Sequence, residues 1–246
     1  MISNGKFYES QFEEATIELL REAHWQYAFG DDIHRKYTDP LIEEDLRNFL
    51  AVQYKDKNLT TSEMDSIVAN LRNTGGQNDY YALRNTFLLY RDGYDFAYSD
   101  GRSNPFRLEY IDFEHPDHNI FRCVNQFVME QGRENRRPDI LLFINGIPVC
   151  IIELKNPTKQ NATIHDAHTQ ICTRYMRDIP ALLKYCALAV ISDGAKNALG
   201  ATYTPFEFFY EWKKIENEDK AGKGLDTLRT LIRGAISPER ILEILR

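Results

Sequence analysis

The chain opens with a helical pattern of apolar residues. They recur with a helical period between Phe12 and Ala23, behind Ser10-x-x-Glu13, which has the form of a capping box. We therefore predict a first helix from Ser10 to about His24.

Further along the chain, the helical period returns three times, over residues 41–54, 62–71 and 79–90. The second of these stretches begins with another cap-like sequence, Ser62-x-x-Asp65. We interpret the region from about residue 30 to residue 105 as a helical insertion in the fold.

From residue 106 onward the period changes to the alternation typical of strands. Two such stretches come first: Phe106, Leu108 and Tyr110, then Phe121, Cys123, Asn125 and Phe127. Two apolar runs then lead from Asp139 to Glu153 across Asn145-Gly146, a dipeptide that favours tight hairpins. We predict that this hairpin forms the centre of a sheet.

The register of the hairpin decides where its two acids point. A regular two-residue turn would leave Asp139 and Glu153 on opposite faces, because side chains alternate along a strand. We expect them to face each other across the hairpin. This requires either a three-residue connection with Gly146 in a left-handed conformation or a bulge near Pro148.

Beyond the hairpin the pattern predicts a helix from Thr163 to Asp178, a buried strand from Tyr185 to Ser192, and helices over residues 225–246. Together these elements predict an α/β fold with a mixed central sheet flanked by helices, in a single domain of residues 1–246. Its core comprises residues 8–28 and 106–212 in an αβββαβ-like order.

The composition of the chain indicates its broad class of protein. With 43% hydrophobic and 27% charged residues, the 246-residue chain has the proportions of a soluble globular protein. Its longest apolar run is too short for a membrane span, so we expect a cytoplasmic protein with no membrane contact. The four cysteines form no CxxC pair, and we expect neither a zinc site nor a disulfide.

A net charge of −7 argues against a protein that holds DNA by bulk attraction, since phosphate neutralisation supplies most non-specific affinity. Any contact with DNA is then local. Basic residues do cluster on both sides of the hairpin: Arg133, Arg136 and Arg137 before it, and Lys155 and Lys159 after it. The alternative for the arginines is an ordinary solvated loop.

Asp139, Glu153 and Lys155 have the residue types of a metal-dependent phosphodiesterase site. Carboxylates hold a hard divalent cation by oxygen, while an ammonium lies beside the phosphate or the attacking water. Glu153 and Lys155 are two apart in a strand and project from one face, whereas Leu154 points into the core. The alternative, a strand end emerging into water, fits the apolar run before Glu153 poorly, because burying charges costs desolvation.

The run Arg137-Pro-Asp-Ile-Leu-Leu-Phe-Ile-Asn-Gly-Ile-Pro-Val-Cys-Ile-Ile-Glu-Leu-Lys-Asn-Pro157 resembles the PD-(D/E)XK nuclease motif in the N-terminal region of type I restriction enzyme R subunits. Other segments agree with that family in the same order: Tyr8 to Glu13 before Trp25, Val124 to Phe127, Gln170 to Pro180, Ile191 to Gly194, and Glu207 to Trp212. The similarity covers most of the chain outside residues 30–105.

The resemblance implies a restriction-endonuclease-like core in which Asp139 and Glu153 bind Mg²⁺, for which Mn²⁺ can substitute, and Lys155 assists the nucleophile or the phosphate. It also implies that Glu13 is a further catalytic acid and metal ligand. As the fourth residue of Ser10-x-x-Glu13, Glu13 alternatively only caps the first helix.

Gln170 resembles the glutamine of the family's Gln-x-x-x-Tyr element, and we include it among the catalytic residues. Here four residues separate Gln170 from Tyr175, so on a regular helix the two would not share a face. We expect a π-bulge to bring them together, the alternative being Arg174 in place of the tyrosine. Candidate DNA contacts are Arg136, Arg137, Lys159, Arg174 and Tyr175.

The family's ATP-driven motor has no counterpart here, because the chain contains no GxxxxGK[ST] sequence. We expect the motor beyond Arg246, with ATP acting only through it. The implied partners are double-stranded DNA and the modification and specificity subunits of a restriction complex. The implied function is Mg²⁺-dependent double-strand cleavage of unmodified foreign DNA. The alternatives are a non-catalytic docking module and the nuclease domain of another helicase-linked or stand-alone enzyme.

Two HxxH pairs, His115 with His118 and His165 with His168, have a spacing that can chelate a metal on a helix. Without nearby cysteines and in polar or loop-like contexts, they are left out of the predicted site.

Overall fold

The computed structural model describes residues 4–155, 163–215 and 222–246, with side chains from residue 10 onward. In these residues the α-helices are α1 (Asn4–Glu22), α2 (Glu43–Gln53), α3 (Thr61–Asn73), α4 (Asp79–Asp92), α5 (Ile164–Thr169), α6 (Met176–Asp178), α7 (Pro180–Leu183), α8 (Leu225–Leu231) and α9 (Pro238–Leu245). None of the described helices combines the length and apolarity needed to cross a membrane.

The three helices predicted over residues 41–54, 62–71 and 79–90 are confirmed as α2, α3 and α4, but two predicted helix starts are wrong. Ser10 lies inside α1, which begins at Asn4, so Ser10-x-x-Glu13 is not a cap. The N-cap of α3 is Thr60, which forms a capping box with Glu63, rather than Ser62. In both cases a cap-like sequence occurs inside a helix. Serine is tolerated within a helix as well as at its N-cap, so the sequence pattern alone does not fix the helix start.

The strands are β1 (Gln26–Phe29), β2 (Tyr94–Phe96), β3 (Phe106–Leu108), β4 (Phe121–Asn125), β5 (Met129–Gln131), β6 (Glu134–Arg136), β7 (Ile140–Ile144), β8 (Ile147–Leu154), β9 (Leu188–Ser192) and β10 (Asn197–Ala201). Six of them form the central sheet in the order β1-β4-β7-β8-β9-β10. Its β1–β4 and β8–β9 pairs are parallel and the others antiparallel, which confirms a mixed sheet.

Three features of the sheet differ from the sequence-based expectation. The stretch at Phe106–Leu108 does not join the central sheet but pairs with Tyr94–Phe96 in a small separate ribbon. The predicted insertion boundary at residue 105 therefore falls between two paired strands. The edge strands Gln26–Phe29 and Asn197–Ala201 were not predicted, since they are short and carry no clear alternation.

The central sheet is buried on both faces, as the apolar runs in β7 and β8 indicate. On one face, Leu142 and Ile152 pack in a core shared with α2, α3 and the C-terminal helices. On the other face, Leu141 and Ile151 pack against α5 and the turns that follow it. Helices therefore cover both faces of the sheet. The C-terminal end of β8 lies at the edge of the face that α5 covers.

Candidate active site

A β-bulge sets the two hairpin acids across from each other. Asn145 and Gly146 form a two-residue turn with φ of 50° and 75°, so Ile144 pairs with Ile147. The register then shifts, because Phe143 pairs with Pro148 but Leu142 pairs with Cys150, which leaves Val149 as an extra residue. The predicted bulge near Pro148 is confirmed, whereas the connection has two residues rather than three.

The shifted register pairs Ile140 with Ile152, so the next residues, Asp139 and Glu153, lie opposite each other. Both are on the face of the sheet that α5 covers, because Asp139 is two residues from Leu141 and Glu153 is two residues from Ile151, and both apolar residues belong to that core. The predicted facing of the two acids is confirmed.

Asp139 is fixed by the neighbouring strand. Its Oδ2 accepts a hydrogen bond from the backbone N–H of Leu154 at 2.7 Å. Although the carboxylate still reaches solvent, the surrounding atoms desolvate it and Glu153 repels its negative charge, which together raise the pKa of Asp139 well above its ordinary value. This is the electrostatic signature of two acids that share one small space.

Four polar side chains form a closed hydrogen-bonded ring beside Asp139. The ammonium of Lys155 donates to Glu153 Oε1 and to Gln170 Oε1, each at 2.7 Å. Gln170 Nε2 donates to the hydroxyl of Tyr175 at 2.7 Å, and that hydroxyl donates to Glu153 Oε2 at 3.3 Å. Each member thereby orients the next, and the functional group of Lys155 is directed to the acid pair.

The ring depends on a wide helical turn. Residues Gln170–Tyr175 form a π-helix between α5 and α6, so the predicted π-bulge is confirmed. Tyr175 is buried, with 3% of its surface exposed, and burial together with Glu153 raises the pKa of its hydroxyl, which remains protonated. Arg174, the alternative partner for Gln170, is exposed instead.

Glu13 faces the same rim from α1, and two amides hold it. Asn125 Nδ2 donates to Glu13 Oε1 at 2.7 Å, and Gln126 Nε2 donates to both carboxylate oxygens at 2.9 and 2.8 Å. Gln126 has a left-handed backbone, φ 55°, and its N–H bonds the carbonyl of Asp139. Asn125 and Gln126 were missed as site residues; the one available signal was their position in a segment shared with the family.

The candidate DNA contacts have different surroundings. Arg136 pairs with the buried carboxylate of Asp178, at 2.7 Å, and with Glu134. Arg137 and Arg174 are exposed beside the site. Tyr175 is buried in the hydrogen-bonded ring described above. It therefore belongs to the candidate site and not to an exposed surface that could contact DNA. Lys159 lies outside the described residues.

The two HxxH pairs also differ. The rings of His165 and His168 pack on Phe206, and His168 Nε2 lies 3.0 Å from the carbonyl oxygen of Thr204. His115 and His118 instead converge with Asp112, in a group whose potential ligand atoms lie within 4.8 Å of one another. The HxxH spacing did not reveal this third residue.

The acid pair suits a hard divalent cation. Carboxylate oxygens are the ligands that Mg²⁺ and Mn²⁺ prefer, and a cation between two acids would offset the repulsion that raises the pKa of Asp139. An ammonium, a neutral hydroxyl and an amide surround the pair, and these groups can orient a phosphate or a water without competing for the ion.

Comparison with known proteins gives the class of this chain. Residues 6–208 match the family described as type I restriction enzyme R protein N terminus. The chain therefore belongs to that family, which confirms the resemblance seen in its sequence.

Relatives of this chain include endonuclease subunits of such enzymes. The chain is 31% identical to the type I restriction enzyme HindI endonuclease subunit of Haemophilus influenzae, over 97% of this chain and 23% of the relative. It is 28% identical to the putative type I restriction enzyme MjaIXP endonuclease subunit of Methanocaldococcus jannaschii, over 95% of this chain and 24% of the relative. The chain thus spans about a quarter of the length of these relatives.

Proposed function

We propose that this chain is a PD-(D/E)XK nuclease domain that hydrolyses phosphodiester bonds of double-stranded DNA with Mg²⁺. The observation that carries the proposal is the bulged hairpin, which places Asp139 opposite Glu153 and directs Lys155 to the pair. A structural role alone explains this poorly, because two adjacent, largely desolvated carboxylates destabilise the fold unless an ion compensates.

In this proposal Asp139 and Glu153 bind the cation, for which Mn²⁺ can substitute. Asp139 would hold the cation through Oδ1, since Oδ2 accepts a hydrogen bond from Leu154. The bound cation supplies Lewis-acid stabilisation of charge on the scissile phosphate. Glu13, held by Asn125 and Gln126, would hold the cation through a bound water, since Mg²⁺ retains several waters.

The remaining residues position the attacking groups. Lys155 lies close enough to the acid pair to orient the nucleophilic water or to neutralise a phosphate oxygen. Gln170 and Tyr175 hold Lys155 and Glu153 in place, and they act as positioning residues. Arg137 and Arg174 contact the DNA backbone at the rim.

We further propose that the chain acts within the R subunit of a type I restriction complex in the cytoplasm. The named relatives and the family match support this assignment. The partners are then the modification and specificity subunits, ATP acts through a motor elsewhere in the subunit, and unmodified DNA receives double-strand breaks. Residues 1–246 form one nuclease domain, and the insertion predicted over residues 30–105 also includes β3, which pairs with β2.

The test is alanine substitution in an assembled restriction complex whose R subunit carries this chain. Glu153→Ala, Asp139→Ala or Lys155→Ala should lower DNA cleavage by at least about 100-fold. Substituting residues that only contact metal ligands already lowers activity by about 10- to 100-fold, and these three side chains lie within the site itself. ATP hydrolysis and translocation should remain, because the motor lies elsewhere. Glu18→Ala, an exposed glutamate on α1, is the matched control and should cleave normally.

The outcomes separate the competing functions. Wild-type cleavage by Glu153→Ala would remove the site assignment. A wild-type complex that translocates but never cleaves with Mg²⁺ or Mn²⁺ would show that the chain is a docking module instead.

A further inference from the structure

We propose that Asp112, His115 and His118 form a second metal site, which takes a divalent transition-metal ion such as Zn²⁺. The three residues lie in the loop between β3 and β4, where Pro116–His118 form a single 3₁₀ turn. This turn stacks the two imidazole rings at a centroid distance of 4.9 Å. Both Nδ1 atoms thereby point to one oxygen, Asp112 Oδ2, at 3.4 Å from His115 and 2.9 Å from His118.

These spacings suit a small ion with tetrahedral geometry. Nitrogen and oxygen ligands about 2.0 to 2.1 Å from Zn²⁺ lie about 3.3 Å from one another, close to the two observed Nδ1–Oδ2 separations. All three potential ligand atoms lie within 4.8 Å of one another, so an ion that replaces the Nδ1 protons would require local rotation of the two rings. The fourth position would be open to water, because both imidazoles are more than half exposed.

The carboxylate is held in place before any ion arrives. Asp112 is buried, and its Oδ1 accepts backbone hydrogen bonds from Glu114 at 3.0 Å and His115 at 2.8 Å. Gln53 Nε2 donates to Oδ2 from α2 at 3.1 Å, as outer partners of metal ligands do. Asp112 is thus already fixed, and the two imidazoles are already aligned with it. This lowers the entropic cost of ordering the three ligands when an ion binds.

This site is separate from the acid pair. Asp112 is tied through Asn119 to the side chain of Asn145 in the hairpin turn, at the end of β7 opposite Asp139. Asn145 is six positions after Asp139, which corresponds to about 20 Å along a strand. The ligand chemistry differs too, because two imidazoles favour Zn²⁺ and similar ions, whereas the acid pair favours Mg²⁺.

The test is calorimetric titration of Zn²⁺ into the chain in the presence of excess Mg²⁺, which occupies oxygen-only sites. We expect one tight Zn²⁺ per chain, and at least about a 100-fold loss of affinity in the double variant His115→Ala, His118→Ala. The matched control is His165→Ala, His168→Ala, which removes two imidazoles at the same spacing from an aromatic contact and should bind Zn²⁺ normally. Glu153→Gln should also bind normally.

Thermal denaturation provides a second readout. A hundredfold excess of Zn²⁺ over its dissociation constant should raise the Tm of the wild-type chain by about 5 °C or more, and should have little effect on the His115, His118 double variant. Asp112→Asn keeps the backbone contacts of Oδ1 and should still weaken Zn²⁺ binding.

Three results would overturn the proposal. They are tight Zn²⁺ binding that survives the double variant, loss of Zn²⁺ binding in Glu153→Gln, and no saturable binding by the wild-type chain up to about 100 µM Zn²⁺.

Discussion

At the scale of single residues, Asp139 shows how the site opposes the stability of the fold. Its carboxylate is desolvated and faces Glu153, so its negative charge is less favourable in the folded chain than in water. The backbone N–H of Leu154 offsets only part of this cost. A divalent cation would remove the rest, which links metal binding to stability.

This linkage predicts that Asp139→Asn stabilises the metal-free chain. A raised folded pKa means that the folded chain retains a proton which the unfolded chain releases, so stability falls as the pH rises above the ordinary value of 3.8. At pH 7 the substitution should raise the free energy of unfolding, and the gain should shrink as the pH falls towards 3.8, the ordinary pKa of the carboxyl. Denaturant melts of both chains across this pH range provide the measurement.

Adding Mg²⁺ should reverse the order, since it stabilises only the chain that keeps both acids. Asp31→Asn, at an exposed acid, should change the free energy of unfolding by less than about 0.5 kcal/mol at any of these pH values. A destabilised Asp139→Asn chain at pH 7 without metal would contradict the argument.

Residues near the hairpin could be assigned to the site from the sequence, but those that hold Glu13 could not. Asp139, Glu153 and Lys155 occur within one hairpin, where strand alternation fixes their direction. Asn125 and Gln126 are 112 and 113 positions away from Glu13, and only the parallel pairing of β1 with β4 brings them there. Such contacts leave no local pattern in the chain.

At the scale of elements, two single-residue irregularities build the site. Val149 is the extra residue of a strand, and the π-helix at Gln170–Tyr175 contains the extra residue of a helix. Both irregularities were predictable. Glu153 must face Asp139, and Tyr175 must face Gln170, which a regular two-residue hairpin and a regular α-helix do not allow. The edge strands were not predictable, since no such requirement applies to them.

Because of the π-helix, we expect the chain to tolerate the deletion of one residue within Gln170–Tyr175. Removing Thr173, an exposed residue, would leave three residues between Gln170 and Tyr175, which then share a face of a regular α-helix. The shortened chain should keep the Gln170–Tyr175 contact, cleave DNA within about threefold of wild type, and melt no lower than wild type. Cleavage assays and thermal denaturation of the deletion variant test this.

The matched control inserts one alanine after Thr173, which should rotate Tyr175 away from Glu153 and lower cleavage at least about tenfold. A folded but inactive deletion variant would show that the wide turn has a role beyond joining Gln170 to Tyr175.

At the scale of the whole molecule, the central sheet carries different chemistry at its two ends. The acid pair lies where β8 ends. The hairpin turn lies at the other end, where it contacts Ile42 before α2 and, through Asn119, the loop that contains Asp112. Gly146 is required at this turn, since it has φ 75° and a Cβ there would lie 2.1 Å from the carbonyl oxygen of Ile42. The turn thus fixes the pairing of Ile144 with Ile147, and the bulge at Val149 then sets the register of the acids.

The net charge of −7 bears on the DNA binding proposed above. A negative net charge provides little overall attraction for a polyanion, so we expect affinity to come from few cations near the site, among which Arg137 and Arg174 are exposed and Arg136 is already paired with Asp178. Each phosphate contact contributes about −0.9 to the slope of log affinity against log salt concentration. We therefore expect a shallow salt dependence for this chain with duplex DNA in Ca²⁺, which supports binding without requiring cleavage.

Arg137→Ala and Arg174→Ala should each reduce the magnitude of that slope by about one and weaken binding equally on all DNA sequences. Arg84→Ala, which removes an exposed arginine from α4 on the opposite side of the sheet, should leave the slope unchanged. Fluorescence anisotropy at several salt concentrations measures all three. If Arg84→Ala lowers the slope as much as the other two, the chain holds DNA by a diffuse surface, and the rim beside Asp139 has no special part in binding.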